Sequence, residues 1–98
     1  MFKCEISKAI WQDVEKTELY DVLVKTVQLP FPPYPGLSVS SGRFNSGEIV
    51  SVCWDTEKKF FSASTSEEFP WKDDDFHLYT AEEVQKHFVK RGGWEVLE

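Results

Sequence analysis

The sequence predicts an α+β fold: a single small domain, residues 1–98, whose one C-terminal helix (about 81–91) packs on a mostly antiparallel sheet of about four to five strands. Three observations carry this. Apolar and polar residues alternate with period two in three separate stretches before residue 65. A helix signal with both of its caps occurs near the C-terminus. A chain of 98 residues is the size of one domain with one core.

Phe2, Cys4 and Ile6 alternate with Lys3, Glu5 and Ser7, the pattern of a half-buried strand, and Ala9-Ile10-Trp11 continues it across a bulge. Ile6, Ile10 and Val14 are also spaced by four, which would suit a short helix over 7–16. The lack of a cap and the polar stretch 13–17 favour the strand. Leu19–Leu29 is the clearest strand, aliphatic and β-branched, and proline ends it. Residues 38–47 are rich in Ser, Gly and Asn and read as loop, with Leu37 and Val39 at most finishing a strand. Residues 48–63 read as a hairpin. Val50, Val52 and Trp54 alternate with Ser51 and Cys53, residues 55–59 turn, and Phe61 and Ala63 return.

The helix is the most fully specified element. Thr80 and Glu83 form a capping box that satisfies backbone donors left orphaned at the helix start, and Tyr79 and Val84 occupy the staple positions. Ala81, Val84, Phe88 and Val89 make its apolar stripe. Glu82 and Glu83 in the first turn, and Lys90 and Arg91 in the last, complement the helix dipole. Gly92 and Gly93 terminate it, since glycine tolerates the left-handed conformation at a helix end. Trp94 and Val96 supply a final edge strand.

Four of the five prolines fall between Leu29 and Leu37, in Pro30-Phe31-Pro32-Pro33-Tyr34-Pro35. Proline fixes φ and removes a backbone donor, so this run is neither helix nor central strand. It contains the bare PxxP spacing of polyproline-groove ligands, without flanking Arg or Lys. The stronger reading is a stiff corner in which Phe31 and Tyr34 pack down.

Composition narrows the function classes. Seventeen acidic against eleven basic residues give a formal charge of −6, which disfavours nucleic acid and anionic membrane surfaces and suits a basic protein partner. No apolar run approaches membrane length and no signal-peptide core opens the chain, so the expected location is cytoplasmic. Cys4 and Cys53 stand far apart in apolar sequence and read as buried free thiols. Two histidines, His77 and His87, and two cysteines form no recognisable nucleophile–base set, and His87 reads as a solvated helix residue. No glycine-rich phosphate loop is present. No cofactor, metal or catalytic residue is therefore expected, and the chain reads as non-enzymatic.

Residues 67–79 mix acids with aromatics and join the hairpin to the helix without evident regular structure, and connections of this kind are often functional. Asp73-Asp74-Asp75 lacks the spacing of a calcium loop. The expected interaction surface comprises Phe31, Tyr34, Trp71, Asp73, Asp74, Asp75 and Phe76, aromatic anchors ringed by charge. Two rival roles are a small-molecule or peptide site in an aromatic-lined pocket between sheet and helix, and a homodimer formed by an open sheet edge or aromatic face.

Overall fold

The computed structural model describes residues 1–13, 15–72 and 78–97. In chain order the elements are β1 (Phe2–Trp11), β2 (Leu19–Leu29), β3 (Ser38–Ser41), β4 (Phe44–Asp55), β5 (Phe60–Thr65), β6 (Trp71–Lys72), β7 (Leu78–Tyr79), α1 (Ala81–Arg91) and β8 (Glu95–Val96). Among the described residues, six strands form one sheet in the order β3-β4-β5-β1-β2-β8, and β6 pairs with β7. The architecture is α+β as expected, with a larger sheet than the alternation suggested.

β1 and β2 pair antiparallel from Phe2↔Leu29 to Ile10↔Asp21, with a register shift between Ile10 and Trp11. Strand therefore prevails over helix as far as Trp11, and the bulge falls where the sequence changes pattern. The hairpin also forms, with Trp54 opposite Phe61 and Asp55 opposite Phe60. Asp55 Oδ1 accepts the backbone N–H groups of Glu57 and Lys58, both at 2.9 Å, which fixes the turn. β5 lies parallel to β1, from Cys4↔Phe61 to Ser7↔Ser64. That parallel ladder arises because the chain leaves β2, crosses to β3 at the far edge, and returns through β4 before reaching β1 again.

Residues 38–47 are not a loop. Ser38–Ser41 pairs with the first part of β4, from Ser38↔Glu48 to Ser41↔Phe44, about the tight turn at Gly42. The serine-rich composition concealed a hairpin of β3 and the start of β4, in which the β4 residues Phe44 and Ser46 are both buried. Buried Ser46 is satisfied locally: its Oγ donates to Gly47 O at 2.6 Å and accepts Val39 N–H at 2.9 Å. Gly47, at φ +70°, and the register shift between Ile49 and Ser51 bend β4 midway. Its first half thus curls over the sheet, bringing Phe44 edge-on to Trp94 at 5.0 Å.

The core lies on the face of β1 bearing Cys4, Ile6 and Ile10, joined by Leu23 and Leu29 from β2, Ile49, Ala63, Ala81 and Trp94. The helix docks here through Ala81 and Val84, with Phe88 and Val89 half-buried beside them. Its capping box is in place: Glu83 N–H donates to Thr80 Oγ1 at 3.3 Å, and Thr80 N–H to Glu83 Oε1 at 3.4 Å. At the other end Gly92 keeps a right-handed conformation and donates to Phe88 O, while Gly93 takes the left-handed turn at φ +72°. Trp94 does not join the last strand but plugs the core, and Glu95–Val96 pairs with β2.

Two expectations about packing are corrected. Cys4 is buried, but Cys53 is exposed, because it lies on the opposite face of β4 from Val52 and Trp54, the face that no helix covers. In the proline corner, Pro33 is the buried member and Phe31 and Tyr34 point outward. The corner is anchored at its far end by Gly36 N–H on Ile49 O, at 2.7 Å.

The 67–79 region holds more regular structure than expected. Glu68 extends the β5 path along β1, exchanging backbone hydrogen bonds with Ala9 and Trp11 at 2.9 Å each. β6 and β7 then pair through Trp71↔Tyr79 and Lys72↔Leu78.

Candidate functional site

The two ends of the core face are covered unequally. α1 lies over the end where β1 finishes: Gln85 Nε2 donates to Asp21 Oδ2 at 2.5 Å, and Asp21 is the partner of Ile10. Phe2 sits at the opposite end, about 26 Å from Ile10 at ~3.3 Å per strand residue. There the even-numbered face of β1 meets the ends of β4 and β5, and three aromatic side chains share it. Trp54 packs edge-on to Phe61 with centroids 4.9 Å apart, and Phe2 packs edge-on to Phe61 at 6.1 Å. Such edge-to-face pairs add ~0.5–1.5 kcal/mol beyond the area they bury, so the cluster is a fixed surface.

Fixed does not mean covered. Phe2 is 40% exposed and Trp54 48% exposed, while Phe61 is partly buried against the core. The proline corner starts beside this cluster, since Leu29 is the ladder partner of Phe2. Its own pair, Phe31 and Tyr34, lies with centroids 6.2 Å apart, the two residues 42% and 52% exposed. The flanking prolines fix the backbone from which both rings project. Two aromatic pairs, one on strands and one on a proline corner, thus border the same end of the sheet.

Of the residues expected to form an interaction surface, Phe31 and Tyr34 are therefore together and exposed. Trp71 falls in β6, opposite Tyr79, and its side chain lies outside the described residues. Asp73, Asp74, Asp75 and Phe76 also lie outside them. Phe2, Trp54 and Phe61 were missed as surface residues. Alternation places them on the inward face of their strands, and they are on that face; what sequence did not show is that the helix stops short of them. The available signal was positional, three aromatics at strand ends beside one turn.

On the reverse side of the sheet, β1 presents Lys3, Glu5, Ser7 and Ala9 to a face that no helix covers. Phe60 is the large apolar residue there, 8% exposed beneath the ammonium groups of Lys3 at 4.9 Å and Lys58 at 5.8 Å from its centroid. A shallow hollow of about 500 Å3 on this face is floored by Ser7, Ala9, Val22 and Ser64 and edged by the Lys16–Glu67 ion pair. A second hollow, of about 460 Å3, runs along the outer side of α1 past Lys86, His87 and Arg91. The space between sheet and helix itself is filled. Ile10, Leu23 and Val84 have no exposure, and Lys8 lies there with its ammonium over the rings of Phe88 and Trp94.

Among the described residues no group of three or more His, Cys, Asp or Glu is placed to hold a metal ion, and no helix is long and apolar enough to cross a membrane. The chain matches no family model, no curated protein and no solved structure.

Proposed function

We propose that this chain is a small non-enzymatic binding domain whose contact surface is the aromatic end of its sheet, Phe2, Trp54 and Phe61 with Phe31 and Tyr34 beside them. The observation that carries the reading is the half-exposure of four large aromatics, Phe2, Trp54, Phe31 and Tyr34, each packed against another ring. Aromatic anchors that keep few rotamers bind at low entropic cost and dominate protein interfaces. Exposed Cys53 fits a reducing, cytoplasmic setting for this binding role.

Affinity capture from native cell extract tests it. Wild-type chain is expected to retain a protein that the Trp54→Ala/Tyr34→Ala variant loses, with the two thermal midpoints close. Retention of the same proteins by both chains would refute the role of this surface.

A further inference from the structure

The proline corner combines a restricted backbone with a periodic pattern of exposure. Residues 30–35 read Pro-Phe-Pro-Pro-Tyr-Pro and belong to no helix or strand. Each proline ring fixes φ at about −65°. Phe31, Pro32 and Tyr34 each precede a proline, which drives them to extended values of ψ. Together these restraints favour a polyproline II ridge, with three residues per turn and so three rows of side chains. Exposure follows that period. Phe31 and Tyr34 make one outward row, 42% and 52% exposed, with their rings 6.2 Å apart. Pro32 and Pro35 make the next row, and both are exposed. In the third row Pro33 is buried, which turns that row into the protein, while Pro30 at the strand end stays exposed. Beyond the ridge, Leu37 N–H donates to Tyr34 O at 3.1 Å across Pro35-Gly36, with Gly36 at φ +96°. The packed-down rings that favoured a purely structural corner are thus turned outward instead.

From this we infer that the corner is the ligand of a proline-recognition groove, a partner surface whose aromatic rings clasp Pro32 and Pro35 with Phe31 and Tyr34 seated beside them. The inference rests on the binding role proposed above and gives its proline-borne half a partner. A groove clasps two sides of a three-sided ridge and leaves the third alone. Here the two rows on offer face outward, and the row a groove does not need is the one holding buried Pro33. Backbone chemistry selects this occupant over an added strand. Residues 30–35 keep N–H groups only at Phe31 and Tyr34, too few to continue a ladder. Among the described residues nothing donates to the carbonyls of residues 30–33. Indole N–H and phenol O–H groups in an aromatic groove are donors of the kind these carbonyls take. Residues 29–42 contain no charged residue, so the contact is one of ring stacking and neutral hydrogen bonds. A preformed ridge also lowers the ordering cost of binding.

The test probes an array of purified SH3, WW and EVH1 domains, whose aromatic grooves are of this kind, with the intact chain. At least one domain is expected to bind it. The Pro32→Ala/Pro35→Ala variant should bind that domain on the order of tenfold more weakly, and added salt should change the wild-type affinity little. Binding that survives Pro32→Ala/Pro35→Ala, or that added salt abolishes, would overturn the inference. Failure of every domain in the array to bind would overturn it as well. Capture from extract that depends on Trp54 and Tyr34 would in that case leave the binding role standing, and its absence would remove both. Thermal melts check that the variant folds; Phe31→Ala/Pro32→Ala, at two exposed positions, replaces it if it does not.

Discussion

Lys8 is the least expected residue of the core, and replacing it separates the value of its charge from the value of its stem. It sits on the inward face of β1 between Ile6 and Ile10 and is 4% exposed. Its ammonium donates to Ser66 O at 3.0 Å and to Glu68 Oε1 at 3.2 Å, and lies 5.3 Å from the Phe88 ring centroid and 5.7 Å from that of Trp94. At 3.2 Å and an effective dielectric of ~20, the attraction to Glu68 is about 5 kcal/mol. Withdrawing the ammonium from water costs several kcal/mol, so the pair contributes little net stability. Lys8→Met keeps an unbranched apolar stem, and Glu68, with its side chain 29% exposed, can turn to water. Its expected cost is under ~1 kcal/mol. Glu68→Gln leaves the buried ammonium without a counter-charge. Breaking a fully buried pair costs ~3–5 kcal/mol; partial exposure of Glu68 and the retained Ser66 contact reduce this to ~2–3 kcal/mol. For a domain of this size that is a fall of ~10–20 °C in thermal midpoint. The double variant should recover nearly to the level of Lys8→Met. Urea unfolding of the four chains at neutral pH measures all of this. If Lys8→Met lost as much as Glu68→Gln, the ammonium would be a net stabiliser and the reasoning refuted.

Three further outcomes follow from local geometry. With a thiol reagent at neutral pH, native chain should react at Cys53 alone; Cys4 is buried, and burial followed by the nearby Glu5 charge pushes its thiol up, so it should react only on unfolding. Gly93→Ala should cost more than Gly42→Ala by unfolding measurements: both positions are left-handed, costing ~1–2 kcal/mol, but the added Cβ meets Phe44 Cβ at 3.3 Å at residue 93 and open space at residue 42. Asp13 accepts from the Thr17 hydroxyl and from the N–H groups of Thr17 and Glu18, which holds its carboxyl below the usual value. A depressed native value means stability that is present above the ordinary carboxylate range, ~pH 4, and lost as pH falls through the native value. The melting difference between wild type and Asp13→Asn should therefore shrink as pH drops below ~4, and a constant difference would exclude the effect.

Legibility in the sequence tracked how local the cause was. The helix was readable to the residue because capping box, dipole charges and terminal glycines all act within one turn. The β4–β5 hairpin was readable for the same reason, with Asp55 fixing the turn from inside it. β3 was not, because a Ser-rich strand has no periodic apolar signal, and its pairing depends on a β4 that bends at Gly47. The parallel partnership of β1 and β5 spans more than fifty residues in sequence and leaves no local mark. The candidate site divides the same way. That Phe31 and Tyr34 sit on a stiff corner was legible, but the direction they face was decided by Pro33 taking the buried position.

The exposure of the aromatic end follows from element lengths. α1 has eleven residues and spans about 16 Å, while β1 has ten and spans about 33 Å, so one helix cannot roof the sheet it packs on. The curled half of β4 and the proline corner cover part of the remainder, through Phe44 and Pro33. Beyond them the inward face of the strands continues with Phe2 and Trp54, and nothing in the described chain lies over them. Polar residues at these strand ends would forfeit the two edge-to-face pairs with Phe61, ~0.5–1.5 kcal/mol each, but only part of a core residue's burial. The half-exposure of Phe2 and Trp54 where the roof ends is the ground on which the binding role proposed above rests.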